Sequence, residues 1–176
     1  MSYSTHSIVR PIAGRLALDF LNTANWTTDD RVLEEKIESF SDLELWMRAL
    51  SLPDALPPDL IEDLHTFRSQ LRSLFVKGER VSIDQFTKHV SKLVIHECGT
   101  VEYVRQQPIL SLIAVSALSV LSDERELKRV KKCPGSECGW LFIDETKNGR
   151  RKWCTMETCG NRAKSARNYA RRIQNT

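Results

Sequence analysis

The chain has no long apolar run, little glycine and few histidines, and each shortage excludes something. Its most apolar stretch, residues 109–121 of 176, is 13 residues long and contains Ser111, Ser116 and Ser119. A membrane-spanning helix needs about 20 apolar residues, so this stretch reads as a buried core helix. The first 30 residues lack an apolar run behind a basic start, which argues against a secretory signal. Only seven glycines are present, and none forms a nucleotide-binding glycine-rich loop; a nucleophile elbow and an H-E-x-x-H motif are also missing. No repeat or low-complexity tract occurs. With 41% apolar and 28% charged residues and a mean hydropathy of −0.36, the composition excludes a disordered or fibrous chain. The expected compartment is the cytoplasm, where thiols stay reduced and clustered cysteines suggest metal ahead of disulfides.

Acidic residues are scarce at one end. Residues 1–122 carry 12 Lys+Arg against 16 Asp+Glu, a net of −4, whereas residues 123–176 carry 14 against 7, a net of +7. The last 30 residues hold nine cations and the single acid Glu157. Charge of this density is the electrostatic footprint of a nucleic-acid contact, although a solvated basic tail has the same composition.

The first 122 residues read mainly as helices. Leu16 to Ala24 is a short apolar element, and Ser41 with Glu44 has the pattern of a capping box ahead of Trp46, Met47 and Leu50. After Pro57, Pro58 suits a first helical turn. Ile61, Leu64, Phe67, Leu71, Leu74 and Phe75 then form one stripe at helical spacing, with Gly78 as the stop. Ser82 with Gln85 starts another helix, whose inner face is Ile83, Phe86, Val90 and Leu93. Residues 93–97 and 101–105 can pair as a short hairpin, or the first can continue the helix. Pro108 opens the apolar helix, and a module boundary falls between residues 122 and 130.

Beyond it, Cys133, Cys138, Cys154 and Cys159 form two C-x4-C pairs separated by fifteen residues. Zn²⁺ favours tetrahedral thiolate sulfur, and two close pairs let a short chain wrap one ion at small loop-entropy cost. Pro134, Gly135 and Gly139 favour tight turning around the first pair. Four thiolates on Zn²⁺ leave a net −2, which Lys131, Lys132, Lys152 and Arg162 are placed in sequence to offset. No histidine lies near, so the site reads as closed and structural. Residues 140–143 read as a strand, Asn148-Gly149 as a hairpin turn and residues 151–154 as the returning strand. Redox chemistry or buried free thiols are the competing reading, and Cys98, outside the set, reads as a small buried hydrophobe.

Residues 161–173 contain neither Gly nor Pro. At 100° per residue Ala163, Ala166, Ala170 and Ile173 share a stripe that can pack on the zinc module, while Lys164, Arg167 and Arg171 lie within about 60° of one another on an outward sector. Such a helix suits a phosphate backbone or a major groove, and Asn168 beside the ridge can read adenine. Arg150, Arg151 and Arg172 join the candidate DNA contacts. Arg162 projects to the apolar side and, with Asn161, reads as a structural group near the metal.

The run Trp153 to Lys164, with Cys159-Gly160-Asn161-Arg162 at its centre, resembles the bacterial CGNR zinc finger. Cys133 to Cys138, Trp140 to Asp144 and the approach Asn148 to Arg151 are similar to the same family. Leu16 to Thr23 and Ser41 to Leu50 resemble the ABATE domain that usually precedes this finger. The resemblance implies a stress-induced transcription regulator with a helical N-terminal domain, a candidate sensor of a small-molecule effector, attached to a zinc-dependent DNA-binding module. Asp19 and Asn22 can line a pocket or hydrogen-bond backbone, and the structural role is the expected one.

The expected fold is mainly α. A multihelical domain over residues 1–122, with an optional short β-hairpin, precedes a treble-clef-like module over 123–176 built of a knuckle, a hairpin and a C-terminal helix. The expected cofactor is one structural Zn²⁺ and the expected partner DNA, with a homodimer open on symmetry grounds. A zinc-stabilised protein- or RNA-interaction module is the alternative, and no acid–base constellation suggests an enzyme.

Overall fold

The computed structural model describes residues 11–52, 54–80, 82, 93–95, 101–103, 107–135 and 137–174. In chain order they form α1 (Leu16–Leu21), β1 (Ala24–Trp26), β2 (Val32–Glu35), α2 (Phe40–Ala49), α3 (Ile61–Lys77), β3 (Leu93–Ile95), β4 (Val101–Tyr103), α4 (Ile109–Ser122), α5 (Glu124–Leu127), β5 (Val130–Lys132), β6 (Leu141–Ile143), a π-helical turn (Met156–Gly160) and α6 (Asn161–Gln174). Each two-stranded sheet is antiparallel: β1 with β2, β3 with β4 and β5 with β6.

The core forms where the sequence stripes meet. Leu64, Phe67 and Leu71 of α3, Ile113, Ala114 and Ala117 of α4, and Leu18, Phe20 and Leu21 of α1 are fully buried in one cluster with Trp46 and Met47 of α2. Gly78 ends α3 as expected: its φ of +67°, a conformation costly for other residues, lets its N–H reach the Leu74 carbonyl at 3.1 Å. Pro108 stands directly before α4. The optional hairpin is present, with Leu93 paired to Tyr103, so Leu93 belongs to a strand and not to a helix face. The helix expected from Ser82 through Val90, and Cys98, lie outside the described residues.

Two boundaries differ from expectation. The capping box of α2 is Ser39 with Asp42, not Ser41 with Glu44; Ser39 Oγ accepts the Asp42 N–H at 3.3 Å and Asp42 Oδ2 accepts the Ser39 N–H at 3.0 Å. Of two overlapping box patterns the earlier wins, because it adds helical hydrogen bonds while still burying Leu43, Trp46 and Met47. Pro58 precedes α3, whose N-cap is Leu60, rather than occupying its first turn.

The strand pairing is the larger correction. β6 does not pair with residues 151–154, which form no strand. Its partner is β5, just before the first cysteine, with Val130 opposite Ile143 and Lys132 opposite Leu141. Both faces of β6 are buried. Leu141 and Ile143 enter the helical core, while Phe142, on the opposite face by the strand's two-residue period, packs on the cysteines. One strand thus closes the helical core and forms the floor of the cysteine cluster.

Candidate metal centre and basic helix

The four cysteines come from two turns. Cys133 directly follows β5, and Cys138 follows a tight bend in which the Cys138 N–H reaches the Gly135 carbonyl at 3.2 Å. Gly135 is needed there, since a Cβ would lie 3.2 Å from Cys159 Sγ and 3.1 Å from Cys138 Cβ. Cys154 precedes the π-helical turn and Cys159 lies within it; Thr155 caps the turn by accepting the Thr158 N–H. All four sulfurs are buried and lie within 4.8 Å of one another, with Cys138 to Cys154 at 3.6 Å and Cys154 to Cys159 at 3.5 Å. Tetrahedral Zn–S bonds of about 2.3 Å place sulfurs about 3.8 Å apart, so the cluster has the size one zinc ion requires. The cysteines hold one structural zinc, and no histidine or carboxylate among the described residues shares the site. The Cys154 N–H donates to Cys133 Sγ at 3.5 Å, a bond that favours the thiolate there.

The knuckle is held by the N-terminal half. Asn22 donates Nδ2–H to the Leu141 carbonyl and accepts the Leu141 N–H, both at 2.8 Å. The Trp26 N–H donates to the carbonyl of the ligand Cys138 at 3.2 Å, and Trp140 Nε1–H donates to the Ala24 carbonyl and Asn25 Oδ1. At Gly139, φ is +58° and a Cβ would come within 2.8 Å of Trp26 Cβ, so the two segments touch through backbone. Asn22 therefore has the structural role expected of it, with a partner 119 residues away. Asp19 does too: its Oδ1 accepts the N–H groups of Ile12 and Ala13, each at 3.0 Å. Burial pushes its carboxyl up to about 6, against the pull of those two donors and of Arg151.

Three of the four cations that the sequence places near the thiolates are engaged with other groups. Lys131 turns to Asp144 at 2.6 Å, Lys132 to Asp30 at 2.7 Å, and Lys152 lies over the Trp153 ring. Lys36 has its ammonium 4.6 Å over Trp140, and the charges of Glu34, then of Cys138 and Cys154, offset part of the downward push that burial gives it. Arg72 approaches from α3, stacked 4.6 Å over Trp26 and bound to Asp30 at 2.6 Å. Arg68, one turn earlier, pairs with Glu35 and donates to Thr23 Oγ1 at 2.8 Å. Both guanidiniums are almost fully buried. Nothing local signals this: arginine on a helix stripe reads as solvent-facing, and the acids that bury it lie 33 and 42 residues away.

The predicted DNA-contact residues separate into two groups. Lys164, Arg167, Asn168, Arg171 and Arg172 are all exposed on α6, and Arg150 is exposed in the preceding loop. Arg151 is not part of that surface. Its guanidinium donates to the carbonyls of Ile12, Ile143, Trp153 and Cys154 and stacks 4.3 Å over Phe142, so its donors bind the finger together. Asn161 Nδ2–H donates to the Glu157 carbonyl at 3.3 Å, and exposed Arg162 stands 4.0 Å from the Glu137 carboxylate beside Cys138.

The expected packing of the α6 stripe does not occur. Ala163 is half-buried, but Ala166 and Ala170 are exposed and Ile173 is 59% exposed. Ile12, Trp140 and Trp153 already cover the cysteine cluster, so the helix leaves the module after Cys159 with no apolar surface left to meet.

No helix among the described residues is long and apolar enough to cross a membrane. No curated protein sequence matches the chain. Residues 129–172 match the CGNR zinc finger, in agreement with the ligand set and the strand, turn and helix that carry it. Residues 14–124 match the ABATE family, described as "Putative stress-induced transcription regulator". With the helical core inside the ABATE match, which covers more than half of the chain, and the four cysteines inside the finger match, this chain belongs to the ABATE family and carries a C-terminal CGNR zinc finger.

Proposed function

We propose that the chain is a transcription regulator, not an enzyme, and that it binds DNA through α6. The observation that supports this reading best is the state of that helix. Its 14 residues include no buried one, and Lys164, Arg167 and Arg171 share one exposed sector with Asn168 beside it. No carboxylate among the described residues pairs with those three cations. The helix is about 21 Å long, enough to lie in a major groove with the ridge along one phosphate strand. The zinc centre has no reactive part here; bound zinc fixes the turn from which α6 starts.

Phosphate contacts release counterions, so the test is salt dependence. Each alanine at Lys164, Arg167 or Arg171 should reduce the slope of log affinity against log salt by about 1, and the triple variant by about 3. Far-UV circular dichroism and zinc content should stay unchanged. An unchanged slope in the triple variant removes α6 from the DNA contact.

A protein-interaction role is the second reading, and the other face of α6 favours it. Tyr169 and Ile173 are 69% and 59% exposed on the sector that carries Ala166 and Ala170. Duplex binding that survives excess competitor DNA decides for the first reading.

A further inference from the structure

The loop after β6 forms a groove that α6 does not account for. Its cavity of about 610 Å³ is lined by Lys147, Arg150 and Lys152 on the rim and by Trp153 and Met156 on the floor. That volume lies in the range of small-molecule sites, about 300–1,000 Å³. No carboxylate among the described residues lines it.

The groove is held in shape from below. The Asp144 side chain, with no exposed surface, accepts the Thr146 N–H at 3.0 Å, the Thr146 hydroxyl at 2.5 Å, the Arg151 N–H at 2.9 Å and the Lys131 ammonium at 2.6 Å. Thr146 Oγ1 in turn accepts the Arg150 N–H at 3.0 Å, and Gly149 makes the turn at φ +61°. Arg151 points inward to four carbonyls, as described above. These bonds fix the backbone that carries Lys147, Arg150 and Lys152, and leave those three side chains facing outward.

Rim and floor ask for different halves of one ligand. Three cations without an acid suit a phosphate. A half-buried indole beside a thioether, 58% exposed at Met156, suits a flat aromatic ring. An acidic peptide would satisfy the rim and leave the floor wet, and an aliphatic ligand would do the reverse. A nucleotide satisfies both: the Lys152 ammonium, 5.4 Å over the Trp153 ring, lies on a ring face that a base would take and would turn aside to the phosphate.

We propose that this groove binds an unpaired nucleotide of a nucleic-acid strand, with the base on Trp153 and Met156 and the phosphate among Lys147, Arg150 and Lys152. The proposal rests on the reading that this finger binds DNA and extends it, because a base in a duplex keeps both faces stacked and only an unpaired one offers a face to an indole. The finger then engages a junction or locally opened strand at the loop while α6 follows the adjoining duplex.

The test uses the full zinc-loaded chain with three probes: a short oligothymidylate, a blunt duplex of equal length and thymidine 5′-monophosphate. Oligothymidylate should bind and quench tryptophan emission, and Trp153→Phe should remove most of the quenching. Met156→Ala should weaken strand binding roughly 2- to 10-fold, the scale of one lost sulfur–aromatic contact. Replacing Lys147, Arg150 and Lys152 together by alanine should reduce the salt slope for the single strand by about 2. Trp153 packs on the cysteines, so zinc content is measured in its variant; the exposed Met156 and rim variants carry the test if it loses metal. Strand binding unchanged in the rim variant and in Met156→Ala overturns the groove and leaves the α6 reading standing. Monophosphate binding as tightly as the oligomer overturns the strand assignment in favour of a free nucleotide. Failure of the wild-type chain to bind any strand or duplex overturns both readings.

Discussion

Asn22→Ala is the substitution that most directly probes how the finger is attached. Asn22 is 5% exposed and spends its amide on both backbone groups of Leu141, itself 2% exposed. Alanine removes donor and acceptor together, leaving a buried N–H and a buried carbonyl without partners. Each such group costs about 1–3 kcal/mol, so the loss is roughly 2–6 kcal/mol before any relaxation that admits water. Against a typical total of about 5–15 kcal/mol this is a large fraction. For a chain of this length about 2–4 °C in Tm accompanies each kcal/mol, which gives a fall of roughly 4–24 °C. The assay is thermal and urea unfolding of the zinc-loaded protein, followed by far-UV circular dichroism and by release of zinc to a colorimetric chelator. Because Leu141 sits between the helical core and the cysteine cluster, both signals should fall together. A loss under about 1 kcal/mol, or zinc release at an unchanged temperature, would refute the claim that Asn22 holds the knuckle.

Other consequences follow from the same geometry. Cys159→Ser should abolish stoichiometric zinc binding, and chelating zinc from the wild type should lower the helical transition as well, since β6 serves both clusters; an unchanged transition would mean that finger and helices fold separately. Asp19 should make stability depend on pH in the direction opposite to a salt-bridged acid. Its folded pKa is raised to about 6, so the stability from the neutral form is full below its ordinary value of 3.8 and lost as pH rises through 6. Asp19→Asn keeps an acceptor for Ile12 and Ala13 and removes the titration, so at pH 7.5 it should exceed the wild type by on the order of 2–3 kcal/mol, with the difference vanishing near pH 4. Parallel stability profiles for the two proteins would show that burial does not perturb this carboxyl. The α6 alanine variants should change salt dependence without changing the unfolding temperature.

Sequence alone determined the parts whose logic is local. The paired cysteines announce their metal because thiolate chemistry and loop closure need nothing but residue type and spacing. The stripe on α3 and its stop at Gly78 follow from a period of 3.6 and one left-handed residue. The cationic sector of α6 follows from the same period. What lay beyond sequence is what distant segments decide. The strand Leu141–Ile143 was legible, but its partner was not, because an Asn-Gly turn downstream offered a nearer hairpin than the correct pairing across the knuckle. Arg151 looked like a phosphate contact until four carbonyls, one of them Ile12 at 139 residues' remove, took its donors. The burial of Arg68 and Arg72 has no local sign, because Glu35 and Asp30 pair with them from distant segments. The apolar stripe of α6 looked like a packing face, yet other residues had already filled the surface it was meant to cover. Local periodicity reports on neighbours three or four residues away, whereas burial of a polar group depends on whether a partner arrives from elsewhere in the chain.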